Sequence, residues 1–246
     1  MTDKPILFSG PMVNAILEDR KTQTRRVLKV PKWTNRSPEE FLRDGNSGFW
    51  KTISTKTGAF KDLPTYQVGD RLYVREAWRS LNGLDHLSPS AMGAAAIEAG
   101  YKTPWGPVKY IADGSFLDWD DWHRCDPSFG TKEGKFRQGM HMPRWASRLT
   151  LVVTDVRVQR LQEISDDDAQ AEGIEPYAGI DPDCSGYLNY SNQSEDGWWL
   201  SPKNSFRTLW NSINDARGFG WDANPWVVAV TFETRHYNID QMEVSA

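Results

Sequence analysis

The stretch RLTLVVTDVRVQRL, residues 148–161, decides the fold. Apolar residues occupy every second position from Leu149 to Val153, and the alternation resumes with the opposite parity at Val156. A period of two is typical of a half-buried β-strand. The change of parity at Thr154-Asp155 indicates a bulge or a bend. The sequence therefore predicts one long strand that changes direction near its middle.

Other segments on both sides of this strand predict shorter elements. The further predicted strands are Lys4–Phe8, Arg71–Trp78, Val108–Ala112 and Trp226–Thr234. The predicted helices are short and comprise the segment after Ser9, with Pro11 in its first turn, and the segments 166–172 and 203–214. Because a helix does not follow each strand, this order disfavours β-α-β units. It predicts an α+β fold, mainly β, in which a compact β-barrel carries short helices.

Three long stretches show no sustained period, and they separate the predicted elements. They span residues 31–65, 79–140 and 174–201. They separate the elements of a chain whose length suits one large domain or two small ones. Nine of the 12 tryptophans lie in these stretches or in residues 203–225.

The overall charge and composition exclude several classes of protein. The chain has 29 Lys and Arg residues against 33 Asp and Glu residues, a net charge of −4. Proteins that bind long stretches of nucleic acid are usually basic, because counterion release drives that binding. No apolar run approaches the roughly 20 residues that span a bilayer, so no membrane partner is expected. Two isolated cysteines form no disulfide framework, which favours a reducing cytoplasm.

The segment DRKTQTRR, residues 19–26, is the first candidate for chemistry. Residues 20–36 contain seven basic side chains and no acidic one. Such a run is often only a solvated basic turn. A lysine that is partly buried among arginines, however, has its neutral form favoured. Lys21 is therefore a candidate general base, and Thr24 a candidate nucleophile.

Glu172 is the second candidate, at the end of the predicted helix 166–172. The dipole of a helix disfavours negative charge at its C-terminus. A glutamate there is suited to donate a proton, although many helix-end glutamates are simply exposed. From the residues alone, both interpretations of Glu172 stay open.

Four separated segments resemble the ASCH domains of the PUA-like superfamily. DRKTQTRR is similar to the signature loop of that family, and Val68–Val74 (VGDRLYV) to the turn and strand after it. LQEISDDDAQAEG, residues 161–173, resembles its junction between strand and helix, and Trp226–Glu233 its closing strand. The three long stretches have no counterpart in the minimal domain. The resemblance therefore implies a single domain over residues 1–246 with insertions at 31–65, 79–140 and 174–201, and these insertions are the expected source of substrate preference. Large, tryptophan-rich versions with a segment like MPRWASR are similar to ASCH proteins carried by bacteria and their prophages.

This resemblance implies an activity. The small bacterial members hydrolyse N4-acetylcytidine with a Lys, a Thr and a Glu, which fall on Lys21, Thr24 and Glu172. Their implied roles are proton acceptor, nucleophile and proton donor, with no metal and no cofactor. Many relatives have a glutamate in place of Thr24, so the threonine favours the hydrolase branch. The expected substrate is a small nucleoside or nucleobase with an N4-acyl group.

Further residues are candidates for holding that substrate. Arg26 or a backbone N–H would stabilise the oxyanion, and Arg20 lies in the same basic run. A flat base needs an aromatic face, for which Tyr73, Trp78 and Trp145 are candidates, although each can equally belong to the core.

Two other functions remain open from the sequence. One is a PUA-like module that binds RNA or a modified base without turnover, and the other is a phage accessory protein whose loops bind a protein partner. His123, Cys125 and His141 do not have the spacing of a zinc site. No metal is therefore expected.

Overall fold

The structure is a computed structural model, and it describes residues 3–28, 50–53, 60–63, 66–98, 102–117, 132–178, 185–191 and 197–242. These residues group into two compact units. The first unit is drawn from Met1–Glu18, Asp70–Val152 and Thr234–Ala246, and the second from Asp19–Gly69 and Val153–Glu233. That the whole chain is one domain with insertions stays a prediction.

The described part of the chain contains both helices and strands, which confirms the mixed α and β prediction, and strands outnumber helices. The strands are β1 (Asp3–Leu7), β2 (Gln23–Val27), β3 (Trp50–Ile53), β4 (Phe60–Leu63), β5 (Arg71–Arg75), β6 (Trp78–Arg79), β7 (Val108–Tyr110), β8 (Phe116–Leu117), β9 (Thr150–Arg160), β10 (Pro176–Ala178), β11 (Ser185–Leu188), β12 (Trp198–Trp199) and β13 (Trp226–Arg235). The α-helices are α1 (Gly10–Leu17), α2 (Pro89–Glu98), α3 (Asp166–Ala171) and α4 (Pro202–Asn214).

In the first unit, β1 pairs in parallel with β5, and β5 pairs antiparallel with the first residues of β9. Pro11 lies in the first turn of α1, as predicted, and the helix buries Val13 and Ile16. A second, three-stranded sheet has the order β6-β7-β8. Trp78 and Tyr110 of this sheet are buried in one hydrophobic cluster with Met142. Part of the core of the first unit therefore comes from the stretch 79–140, which supplies Tyr110 to this cluster.

In the second unit, the strand order is β9-β13-β2. β13 and β2 pair antiparallel, with Val227 opposite Val27 and Thr231 opposite Gln23. The sheet β10-β11-β12 is also antiparallel. The amphipathic helix α4 buries Phe206, Leu209 and Trp210. Ile213 follows Leu209 at the i+4 spacing that is typical of a shared helix face, but it is 51% exposed.

The long strand predicted at residues 148–161 is confirmed as β9. Thr154 and Asp155 are both exposed, as expected where the alternation changes parity. The short helix α3 is confirmed as well. The Ser165 hydroxyl accepts a hydrogen bond from the backbone N–H of Asp168 and so caps its first turn. Gly173 has φ 82°, a left-handed conformation that glycine adopts without strain.

Several stretches predicted to lack regular structure do contain it. The basic run was interpreted as a loop, but from Gln23 onward it is strand β2. Within 31–65, β3 and β4 form an antiparallel pair, and within 79–140 the structure has helix α2. Within 174–201 lies the three-stranded sheet β10-β11-β12. These elements are short or polar, so they lack the apolar period that sequence patterns detect.

Among the described residues, no helix has the length and apolar character needed to cross a membrane. The predicted cluster of Trp119, Trp122 and His123 lies outside the described residues, as do Cys125 and Cys184.

Candidate functional site

The second unit brings Lys21 and Glu172 together, although 151 positions separate them in sequence. A backbone β-bridge pairs the two residues directly. Beside it, the Thr22 N–H donates to the Ala171 carbonyl at 2.9 Å. Glu172 follows the last residue of α3, so the helix fixes its position from one side and the bridge from the other.

The Lys21 ammonium is enclosed and bound to Glu172 twice. Its Nζ donates to the Glu172 backbone carbonyl at 2.7 Å and to Oε2 at 2.9 Å, and the residue is only 1% exposed. The other carboxylate oxygen, Oε1, accepts from Arg25 Nη1 at 3.1 Å. Both carboxylate oxygens of Glu172 are therefore hydrogen-bonded to basic side chains, which its position at the end of a helix does not reveal.

The contacts continue from Arg25 to Asp168. Arg25 Nη2 donates to Asp168 Oδ2 at 2.7 Å, and its guanidinium lies 6.0 Å from the centre of the Phe206 ring. Gln23 Nε2 donates to Asp168 Oδ1 at 3.2 Å and to Thr231 Oγ1 at 3.1 Å. The result is a buried charge network on one side of β2.

Arg25, Gln23 and Asp168 were not among the candidate site residues. A signal for them exists in the sequence, because Lys21, Gln23 and Arg25 stand at every second position and therefore share a face if the segment is extended. The polar character of the segment hides that periodicity. Asp168 lies in the first turn of α3, where an acidic residue indicates only the start of a helix.

Burial is the largest influence on the pKa of Lys21, and it lowers that pKa from the ordinary value. The charge and the hydrogen bond of Glu172 oppose this effect, whereas the charges of Arg26 and Arg25 lower the pKa further. The net direction favours the neutral amine, as the sequence predicted. Burial lowers the pKa of Lys21 more than the charges of Arg25 and Arg26 do.

Thr24 and Arg26 occupy the alternate positions of β2. Side chains alternate between the two faces of a strand, so these two residues face away from Gln23 and Arg25, the side on which Lys21 contacts Glu172. Thr24 is buried, and among the described residues no hydrogen bond involves its hydroxyl. Arg26 is half-buried. Burial lowers its pKa, Tyr66 and Glu172 oppose that shift, and Arg217 adds to it.

Arg20 has a structural contact in the same unit. Its Nη1 donates to the backbone carbonyl of Gly173 at 3.0 Å. It therefore helps to hold the turn that follows Glu172.

The three aromatic candidates belong to the first unit, whereas Lys21, Thr24 and Glu172 belong to the second. The guanidinium groups of Arg75 and Arg144 lie 5.6 and 5.9 Å from the centre of the Tyr73 ring. Trp78 is 0% exposed and packs edge-to-face with Trp145, with 6.3 Å between ring centres. The Trp78 ring therefore has no face open to a ligand in this structure.

Among the described residues, no group of three or more His, Cys, Asp or Glu side chains is arranged to hold a metal ion. The geometry offers instead a buried lysine in direct contact with a glutamate. No family model, no curated protein and no solved structure matches this chain.

Proposed function

We propose that this chain is an ASCH-type amidohydrolase with a PUA-like barrel fold, acting in the cytoplasm on N4-acylated cytosine nucleosides or bases. The observation that carries the proposal is the contact between Lys21 Nζ and Glu172 Oε2 at 2.9 Å. The two residues were selected as proton acceptor and proton donor from distant parts of the sequence. A hydrolysis with a poor leaving group needs a base that accepts the proton of the nucleophile and an acid that donates one to the departing nitrogen.

The proposed reaction breaks the amide bond between the acyl carbon and the exocyclic N4 of cytosine. The nucleophile attacks the acyl carbon while the neutral Lys21 amine accepts its proton. That proton passes through the Lys21–Glu172 contact, and Glu172 delivers it to the departing nitrogen. With Thr24 as nucleophile, a threonine ester forms, and water activated by Lys21 then releases the carboxylic acid. Arg26 or a backbone N–H stabilises the oxyanion.

Because of the orientation of Thr24 on β2, the mechanism has two variants, which differ in the nucleophile. Thr24 faces away from the Lys21 side of the strand, so proton transfer from its hydroxyl to Lys21 requires a rearrangement of residues 22–24 or an intervening water molecule. Alternatively, Lys21 activates a water molecule that attacks the acyl carbon directly. Both variants need Lys21 and Glu172, but only the first needs Thr24.

Turnover of N4-acetylcytidine, followed as released cytidine by chromatography, tests the proposal. Lys21→Met and Glu172→Gln preserve side-chain size and remove the proton acceptor and the proton donor, so each is expected to lower the rate about 10²–10⁴-fold. Thr22→Ala is the matched control, because Thr22 lies in the same run and is exposed. No release of cytidine by the folded parent protein would refute the proposed activity.

Thr24→Ala separates the two variants of the mechanism. Loss of turnover in a variant that unfolds at the parental urea concentration supports the threonine nucleophile. Turnover retained in Thr24→Ala but lost in Lys21→Met identifies direct attack by water.

A binding module is the second candidate, and one observation favours it. Both carboxylate oxygens of Glu172 are bound within the protein, by Lys21 and by Arg25. A network that is satisfied internally can position a binding surface without performing chemistry. This function predicts that RNA or N4-acetylcytidine binds without turnover, with an RNA affinity that falls as salt rises.

A further inference from the structure

The first unit contains a cavity of about 320 Å³ that the proposed function does not use. Helix α2 forms one side through Met92, Ala95 and Ala96. The segment from Trp105 to Pro107, which leads into β7, also lines it. Its volume is at the lower end of the range for small-molecule sites.

The described residues that line this cavity contain no Asp, Glu, Lys or Arg. A charged ligand loses its hydration on entering such a site and gains no ion pair in return. The lining therefore selects against charged molecules.

The cavity offers several groups that interact well with aromatic rings. Trp105 presents an indole, His86 an imidazole, and Met92 a thioether, whose sulfur makes favourable contacts with ring edges. His86 is exposed and supplies a polar side chain, while Ala95 and Ala96 leave room for a flat molecule against the helix.

The wall that contains Gly106 is backed by close packing. A Cβ atom on Gly106 would lie 3.0 Å from Cη2 of Trp145, and one on Gly93 would lie 3.0 Å from Nε1 of the same ring. A side chain at either position would therefore require the Trp145 ring or its neighbours to shift, and Trp145 supports the wall of the cavity. The indole of Trp145 has a structural role, and this role does not depend on a ligand in the cavity.

We propose that this cavity is a binding site for a small, neutral aromatic molecule. The site lies within the first unit and does not depend on the activity assigned to the second. Its ligand is defined by size, planarity and lack of charge.

Indole is a suitable probe, and ligand-observed NMR or calorimetry on the full chain detects its binding. Saturable binding with a dissociation constant at or below about 1 mM is expected for a fragment of this size. Indole-3-carboxylate, which has the same ring and a negative charge, is expected to bind at least about tenfold more weakly. Equal affinity for the two compounds, or no saturable binding of indole by folded protein, would overturn the proposal.

Two alanine variants on α2 locate the binding. Ala95 lines the cavity, whereas its neighbour Ala94 is exposed and does not. Ala95→Leu fills the space and is expected to weaken indole binding about tenfold or more, while Ala94→Leu adds the same atoms and leaves the affinity within about twofold. Equal affinity in both variants would place the indole elsewhere and contradict the proposed site.

Discussion

Two buried glutamates, one in each unit, are held by cations of different chemistry. Glu76, whose side chain is 1% exposed, accepts two hydrogen bonds from Arg148, both 2.9 Å long. Glu172 divides its carboxylate oxygens between Lys21 and Arg25. Arginine is not deprotonated in proteins, whereas a buried lysine readily loses its proton. The Arg148–Glu76 pair is thus suited to holding structure, and the Lys21–Glu172 pair to moving a proton.

The surroundings of the two pairs strengthen this contrast. Arg148 also donates to Asp113 Oδ2 at 2.8 Å, and its guanidinium lies 4.0 Å from the centre of the Tyr110 ring. Its planar group is therefore fixed on its face as well as along its edges. Lys21 is a flexible point charge that is held by Glu172 and by the fold around it. The two glutamates are similarly buried, but the basic side chain that contacts each of them suits each pair to a different function.

The strongest test of this contrast is Lys21→Arg. The variant keeps a cation next to Glu172 but has no group that can release and accept a proton. Turnover of N4-acetylcytidine is expected to fall about 10²–10⁴-fold. The measurement is kcat/KM, accompanied by a urea unfolding curve to establish that the variant is folded. Parental turnover in a folded Lys21→Arg protein would show that Lys21 is not the base.

The corresponding test in the first unit is Arg148→Met, which leaves Glu76 buried without its cation. Breaking a buried pair in this way typically costs about 3–5 kcal/mol of unfolding free energy. Urea denaturation at pH 7 measures it. Arg79→Met is the matched control, because Arg79 pairs with the exposed Glu133 at 3.9 Å and its loss is expected to cost at most about 1 kcal/mol. Similar losses in the two variants would remove the structural role assigned to Arg148.

The sequence predicted the elements whose signals are local. The strand β9 has a local signal in its own alternation, and α3 has one in the capping residue Ser165 before it and in Gly173 after it. β2 was missed because Gln23 and Arg25 are polar. Their burial is possible because distant residues accept their hydrogen bonds: Asp168 for both, Glu172 for Arg25 and Thr231 for Gln23. A pattern based on apolar residues cannot detect a buried face made of polar ones.

The candidate site also combines features that local sequence patterns reveal with features that they do not. Lys21 and Glu172 were selected individually, but their contact depends on a backbone bridge between distant segments. The sequence likewise shows the helix that ends next to Glu172, but not the two basic side chains that contact its carboxylate. Nonlocal pairing is therefore what local sequence patterns leave undetermined.

The pH dependence of turnover sharpens the role of Lys21. Burial lowers the pKa of Lys21 below its ordinary value of 10.5, so the neutral amine that acts as base becomes populated below that pH. The rate is expected to rise with pH by about one log unit per unit and to level off before pH 10.5. The free energy of unfolding also rises with pH between the pKa of Lys21 in the folded protein and 10.5. In this pH range the unfolded chain binds the Lys21 proton more tightly than the folded protein does. Lys21→Met should lose both dependences, and a parental pH profile in that variant would assign the titration to another group.

The smallest expected effect comes from the outer edge of the Lys21–Glu172 network. Arg157 is 44% exposed and donates to both Asp168 oxygens, at 3.1 and 3.2 Å. Burial raises the pKa of Asp168, but the hydrogen bond from Arg157 and the charge of Arg25 outweigh this and lower it. Arg157→Ala leaves Arg25 in place, so the loss of unfolding free energy should stay within about 1 kcal/mol, as for other exposed pairs. Urea denaturation measures this loss. A larger loss, accompanied by reduced turnover, would mean that Arg157 acts through Asp168 and Arg25 to hold Glu172 in position. The residues from Arg157 to Lys21 would then function as one cooperative network, and not as a catalytic pair with independent exposed neighbours.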